Sequence, residues 1–173
     1  MIRASKNLLL ILLLLILSWG CGYHRSGKTA TIPESIESIA VPTFVNKSVK
    51  YRLEQRLTTA VVDELIHRTK YRVTADPAGA GALLSGEVLE FSSTPVVLAG
   101  GAGSTYLVMV RMRVQLKDLK TDKLLFENQN FVFREEYEIS QQATTFFPEE
   151  GPALDRLSME FSRSLVSTIL ESF

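Results

Sequence analysis

Apolar residues open the chain as an unbroken block, residues 8–17 (LLLILLLLIL), with Arg3 and Lys6 before it and Ser18, Trp19, Gly20 and Cys21 after it. A charged, then apolar, then small-residue order predicts a secretory signal over residues 1–20. The apolar run is too short for a membrane-spanning helix, which needs roughly 20 residues. Residues 21–31 follow without periodicity (CGYHRSGKTAT) and read as an attachment point and tether. Residues 32–173 then suit one domain with one core.

Within that domain the pattern changes period several times. Residues 38–44 (SIAVPTF) form a short β-branched run in which Pro42 has no N–H to donate, so the strand should lie at an edge or end near Pro42. From Ser48 to Thr69 the apolar positions Val49, Leu53, Leu57, Ala60, Val61 and Leu65 recur every three or four residues. This spacing predicts an amphipathic helix, with Asn46 or Ser48 capping its first turn. Residues 71–74 read as a short extended piece before the Asp76-Pro77 turn.

Residues 82–91 have β character, with Gly86 marking either a bulge or a close backbone approach. The next strand alternates cleanly. Tyr106, Val108, Val110, Met112, Val114 and Leu116 share one parity, while Arg111, Arg113, Gln115 and Lys117 share the other. A turn at residues 120–123 leads to a partner strand over 124–137, whose apolar parity switches between Phe126 and Phe131. A bulge near residues 128–130 would reconcile its halves. Residues 139–148 read as a loop, and Pro148, Glu149 and Glu150 open a closing helix with Leu154, Leu157, Phe161, Leu165 and Ile169 as its buried stripe. The expected fold class is α+β, a two-layer sandwich with two helices on one face of a four-stranded, mostly antiparallel sheet.

Composition narrows the chemistry. The single cysteine, Cys21, excludes an intramolecular disulfide, and its place directly after the apolar block points to lipid attachment. Gly20 suits such a site, whereas Ser18 and Trp19 stand where lipoprotein signals usually carry Leu and a small residue. Lys plus Arg and Asp plus Glu number 19 each in the full chain, and loss of Arg3 and Lys6 with the signal leaves 17 against 19. A net charge of −2 offers no bulk attraction to nucleic acid.

With two histidines in the chain, His24 and His67, a three-His or Cys/His metal site is ruled out by count, and no cofactor is expected. No nucleophile-elbow pattern accompanies His67. The run Gly100-Gly101-Ala102-Gly103 lacks the following Lys-Ser/Thr and helix of a phosphate loop, and reads as a flexible apolar loop. Glu135/Glu136 and Glu149/Glu150 are sequence neighbours that point different ways, as solvated charges do. Arg111, Arg113 and Lys117, joined by Arg134 on the neighbouring strand, form a basic stripe that can meet phosphates or an acidic partner, or remain an ordinary solvated face.

Taken in order, Cys21-Gly22-Tyr23, residues 39–46 (IAVPTFVN), residues 118–123 (DLKTDK) and residues 147–154 (FPEEGPAL) resemble the lipopolysaccharide-assembly lipoprotein family LptE. That likeness implies a non-enzymatic, lipid-anchored protein on the periplasmic side of the outer membrane. It implies a β-barrel partner of the LptD type, which the protein plugs and helps to assemble, and lipopolysaccharide as the molecule handled. It also implies contact with lipopolysaccharide through basic side chains on the sheet, for which Arg111, Arg113, Lys117 and Arg134 are the candidates by face and charge. The alternatives are a stand-alone lipoprotein carrying an amphiphile between sheet and helices, and, with the least support from the residues present, an envelope hydrolase.

Overall fold

The computed structural model describes residues 32–33, 35–96, 103–140 and 150–173. The signal, Cys21, the tether and the glycine-rich loop over 97–102 lie outside these residues, as do residues 141–149; of the loop expected over 139–148, Ile139 and Ser140 instead continue the last strand. In chain order the elements are β1 (Ser38–Ala40), β2 (Val45–Asn46), α1 (Leu53–Arg68), β3 (Arg72–Thr74), β4 (Ala82–Val96), β5 (Gly103–Asp118), β6 (Leu124–Ser140) and α2 (Glu150–Glu171).

Among the described residues the sheet has six strands in the order β3-β1-β4-β5-β6, with β2 also on β4. It is mixed, which corrects the expected four-stranded, mostly antiparallel sheet. β1 pairs in parallel with both β3 and β4, and β2 pairs in parallel with β4, whereas β4-β5-β6 is an antiparallel meander. The physical reason is the crossover through α1: a chain that leaves β1, runs along a helix and returns to β1's side arrives parallel. β2 and β3 are only two and three residues long, too short to show alternation in the sequence.

β1 ends at Ala40, two residues before Pro42, so the missing donor is met by ending the strand rather than by placing it at an edge. It lies inside the sheet. Gly81 N–H donates to the Ser38 carbonyl and to its hydroxyl, both at 3.1 Å, locking β1 to the start of β4.

Helix α1 starts at Leu53, five residues later than the periodicity suggests. From there its apolar stripe is as expected: Leu53, Leu57, Val61 and Leu65 are buried. The residue at its N-terminal cap is Arg52, in the left-handed region at φ 59° and without a side-chain cap bond, while Val49 is outside the helix. Asn46 and Ser48 bond within the preceding loop instead, as described below.

The buried face of β5 consists of Val108, Val110, Met112, Val114 and Leu116, packed in one cluster with the stripes of both helices. Phe161 of α2 is the largest side chain fully enclosed there, and its ring meets Phe131 and Phe133 of β6 edge to face at 5.7 and 5.9 Å. Burying a Phe side chain contributes about 1.5–3 kcal/mol, so this one ring ties α2 to the meander. The two helices run side by side in the same direction, since Arg56 pairs with Asp155 near their starts and Arg68 donates to Ser167 at 2.6 Å twelve residues further on. Both therefore cover one face, and among the described residues no helix covers the opposite face of the sheet.

Candidate functional site

The open face is where the basic side chains lie. β5 alternates, so Arg111, Arg113, Gln115 and Lys117 all point away from the helices. Arg134 faces the same way because it is registered against Met109, which shares their parity. The structure thus brings all four predicted cations onto one face. Cys21 is outside the described residues.

The face is not a simple positive stripe. β4 places Glu90 opposite Arg111 and Glu87 opposite Arg113. The Arg111 guanidinium donates to the Glu90 carboxylate through Nε at 3.1 Å and Nη2 at 2.6 Å, and Arg113 donates to Glu87 at 2.9 Å. Glu87 also pairs with Lys47, whose hydrogen bond is the main reason its carboxyl is held below the usual value; burial opposes that effect, and the Lys47 and Arg113 charges add to it. Lys117 reaches Asp122 of the turn at 2.6 Å. Gln115 donates to Glu127 on β6 at 2.7 Å.

Glu87, Glu90 and Lys47 were not legible as site residues because Glu87 and Glu90 stand three apart, on opposite parities. A register shift between Val88 and Glu90 absorbs one residue and turns both outward. The matching shift in β6 lies between Asn128 and Phe131, where β6 spends three steps against two of β5, and Asn130 N–H donates to the Asn128 side chain at 2.9 Å. This is the bulge that the parity switch called for.

Towards the far end of the sheet the same face is mixed. Leu107 and Met109 are half-buried there, flanked by Thr94 and Ser92 on β4 and by Glu136 and Arg134 on β6, while half-buried Val132 lies across from Arg111. The surface therefore carries a ladder of ion pairs over the middle strands and a few aliphatic side chains set among polar and charged ones. Such a face suits a molecule carrying both anionic groups and alkyl chains.

Elsewhere the chemistry is sparse. Among the described residues no group of three or more His, Cys, Asp or Glu side chains could hold a metal ion. His67 is engaged locally, its Nδ1 lying 2.6 Å from the Asp63 carbonyl one helical turn away. Glu135 and Glu136 are exposed on opposite faces of β6, registered with inward Val108 and outward Leu107. No described helix is long and apolar enough to cross a membrane.

Fold and face together define a small two-layer α+β domain that offers a charged, amphipathic sheet surface. The family model described as "LptE: Lipopolysaccharide-assembly" matches residues 36–169, and the chain belongs to that family. A search among curated proteins finds no match. Among solved structures, the hypothetical protein CT253 of Chlamydia trachomatis superposes with a TM-score of 0.52 at 11% identity, over 78% of this chain and 95% of that one. The PelC dodecamer subunit of Paraburkholderia phytofirmans gives 0.47 at 13% identity over 78% and 88%. The lipoprotein GNA1162 of Neisseria meningitidis gives 0.44 at 15% identity over 75% and 98%. The first of these likenesses supports the fold and nothing further.

Proposed function

We propose that this chain is a non-enzymatic lipoprotein of the outer membrane, facing the periplasm, that plugs and helps assemble a β-barrel of the LptD type and assists delivery of lipopolysaccharide. Family membership over residues 36–169 is the observation that carries this reading. The order of the first 21 residues supports cleavage after Gly20 and acylation of Cys21. More than one acyl chain is needed for a durable anchor, since a single chain binds membranes only marginally. On the open sheet face, Arg111, Arg113, Lys117 and Arg134 are the side chains proposed to meet lipopolysaccharide phosphates, while Leu107, Met109 and Val132 meet its apolar part.

The carrier alternative requires a groove between the layers. The centre of that space is filled by Phe161, Leu57, Met112 and Leu116, all buried, and the cleft of about 390 Å³ at the sheet edge between β6 and α2 is lined by Glu135, Glu136 and Glu160, which disfavour an anionic amphiphile. Depletion of the protein in its own cells tests the proposal. The expected result is loss of lipopolysaccharide from the cell surface together with accumulation of incompletely assembled barrel. Normal levels of both would overturn it.

A further inference from the structure

The loop between β2 and α1, residues 47–52 (KSVKYR), holds two apolar side chains in solvent: Val49 is 95% exposed and Tyr51 79%. Val45, just before it, is 55% exposed. These side chains are not loosely displayed. Asn46 Nδ2 donates to the Lys50 carbonyl at 2.8 Å and to the Glu54 carboxylate at 2.7 Å, while Asn46 Oδ1 accepts from the Ser48 N–H and hydroxyl at 2.9 and 2.7 Å. Lys47 is tied to Glu87, and the Lys50 ammonium sits 5.6 Å over the Phe91 ring. The Arg52 guanidinium stacks over Tyr51 at 5.2 Å. One conformation is thus braced from several sides.

That conformation runs against local preference twice. Arg52 occupies the left-handed region, which favours Gly, Asn or Asp, and it leaves the helix without a side-chain cap. It also adds its own cation to the positive end of the α1 dipole, where anionic groups are favoured, close to Lys47 and Lys50, which are engaged with Glu87 and Phe91. Glu54, the first acid of the helix, already accepts a bond from Asn46. Strain of this kind at an exposed loop is a pointer to function. The arrangement becomes favourable when an anionic surface meets the cations and an apolar layer takes up Val49 and the Tyr51 ring, a combination found at the headgroup level of a bilayer.

We propose that residues 47–52 form a membrane-docking loop that seats the domain on an anionic lipid surface, with Val49 and Tyr51 entering the headgroup region and Lys50 and Arg52 meeting lipid phosphates. The chain length allows it. Eleven residues from Cys21 to Ile32 reach at most about 40 Å; Ile36, four residues on, lies against Gly81, and the loop is seven to ten strand residues along β4 from there, about 23–33 Å. Anchor and loop can therefore touch one surface, and two weak attachments reinforce each other. The proposal concerns lipid alone and stands apart from the barrel reading, because its test contains no barrel.

The acylated mature chain, which begins at Cys21 and has lost the single Trp, Trp19, with the signal, is reconstituted as its Val49→Trp variant in vesicles of phosphatidylethanolamine and phosphatidylglycerol with brominated acyl chains, so that position 49 supplies all the tryptophan emission. Ile66→Trp, at an exposed position of α1, serves as the control. The expected result is blue-shifted emission and loss of most of the fluorescence at position 49, with little quenching at position 66. Adding Lys50→Gln and Arg52→Asn should abolish most of that quenching while the domain stays folded, Asn being suited to the left-handed region. Equal quenching at both positions, equal quenching in phosphatidylcholine vesicles, or shielding of position 49 only after a barrel protein is added would each overturn the proposal.

Discussion

The Phe44 ring lies directly against the backbone of Gly86: a Cβ built at Gly86 would sit 2.8 Å from Phe44 Cδ1 and 2.9 Å from Cγ. Phe44 is buried, and its N–H donates to the Thr58 hydroxyl of α1 at 3.0 Å, so the ring cannot swing aside without disturbing the join between β2 and the helix. The glycine in mid-strand is there for this contact. Gly86→Ala is expected to cost about 1–3 kcal/mol by overpacking. In a Phe44→Leu background the same change should cost measurably less, and a double-mutant cycle in urea reads the coupling.

Phe161→Ala should be among the most damaging core changes. The ring is fully enclosed between Phe131 and Phe133, and removing it is expected to cost about 3–5 kcal/mol. Equilibrium urea unfolding provides the figure, and a loss below about 1 kcal/mol would show that α2 is not held by this contact.

Arg52→Asn is expected to act in the opposite direction. It relieves the left-handed strain at φ 59° and supplies a side chain able to cap α1. A gain of about 0.5–2 kcal/mol follows from the usual value of a cap, read as a rise in thermal midpoint. An unchanged or lower midpoint would remove the argument that stability is given up at this loop.

Acid sensitivity should carry the signature of Asp118. Hydrogen bonds from the Thr121 hydroxyl, and then from the Thr121 and Lys120 N–H groups, hold its carboxyl below the ordinary 3.8, with burial opposing. A depressed folded value means that its stabilisation is complete above the unfolded value and is lost as pH falls through the folded one. Asp118→Asn should therefore destabilise at neutral pH, and the gap to the parent should narrow as pH falls below the ordinary 3.8 and through the lower folded value. A gap that does not change with pH would contradict the assignment.

On the open face, charge reversal at both Arg111 and Arg113 is expected to weaken lipopolysaccharide binding strongly while leaving far-ultraviolet circular dichroism unchanged. Each exposed ion pair is worth only about 0.2–1 kcal/mol, so the fold should survive. Restoring the outer pair by adding Glu90→Lys opposite the reversed Arg111, with Glu87 left to Lys47, separates the two roles: that pair's share of stability should recover, and binding should not if the arginines themselves contact phosphate. Unchanged binding in the first variant would return these residues to an ordinary solvated face.

Much of this arrangement could be read from periodicity. The inward set of β5 from Val108 to Leu116, the stripe of α2 and that of α1 at Leu53, Leu57, Val61 and Leu65 are regular repeats that matched their buried faces, whereas Tyr106 and Ala60 are only part-buried and Val49 is exposed. The bulge in β6 was visible because aromatic residues fall on both sides of it. The short parallel strands were not visible, since two or three residues cannot display a period and their pairing depends on a crossover through α1. Helix α1 was extended too far at its start because Val49 is in phase with Leu53 and Leu57, and phase alone does not say whether the first turn forms. The ion-pair ladder escaped for a related reason: a one-residue shift at Leu89 brings Glu87 and Glu90 to the same face, and opposite charges cancel what looked like a basic stripe.

The central claim concerns a barrel partner, and affinity capture of the lipoprotein from detergent-solubilised outer membranes tests it most directly. The account predicts co-recovery of one large, heat-modifiable β-barrel protein in stable stoichiometric association. Recovery of the lipoprotein alone, in a detergent that preserves other outer-membrane complexes from the same cells, would contradict it.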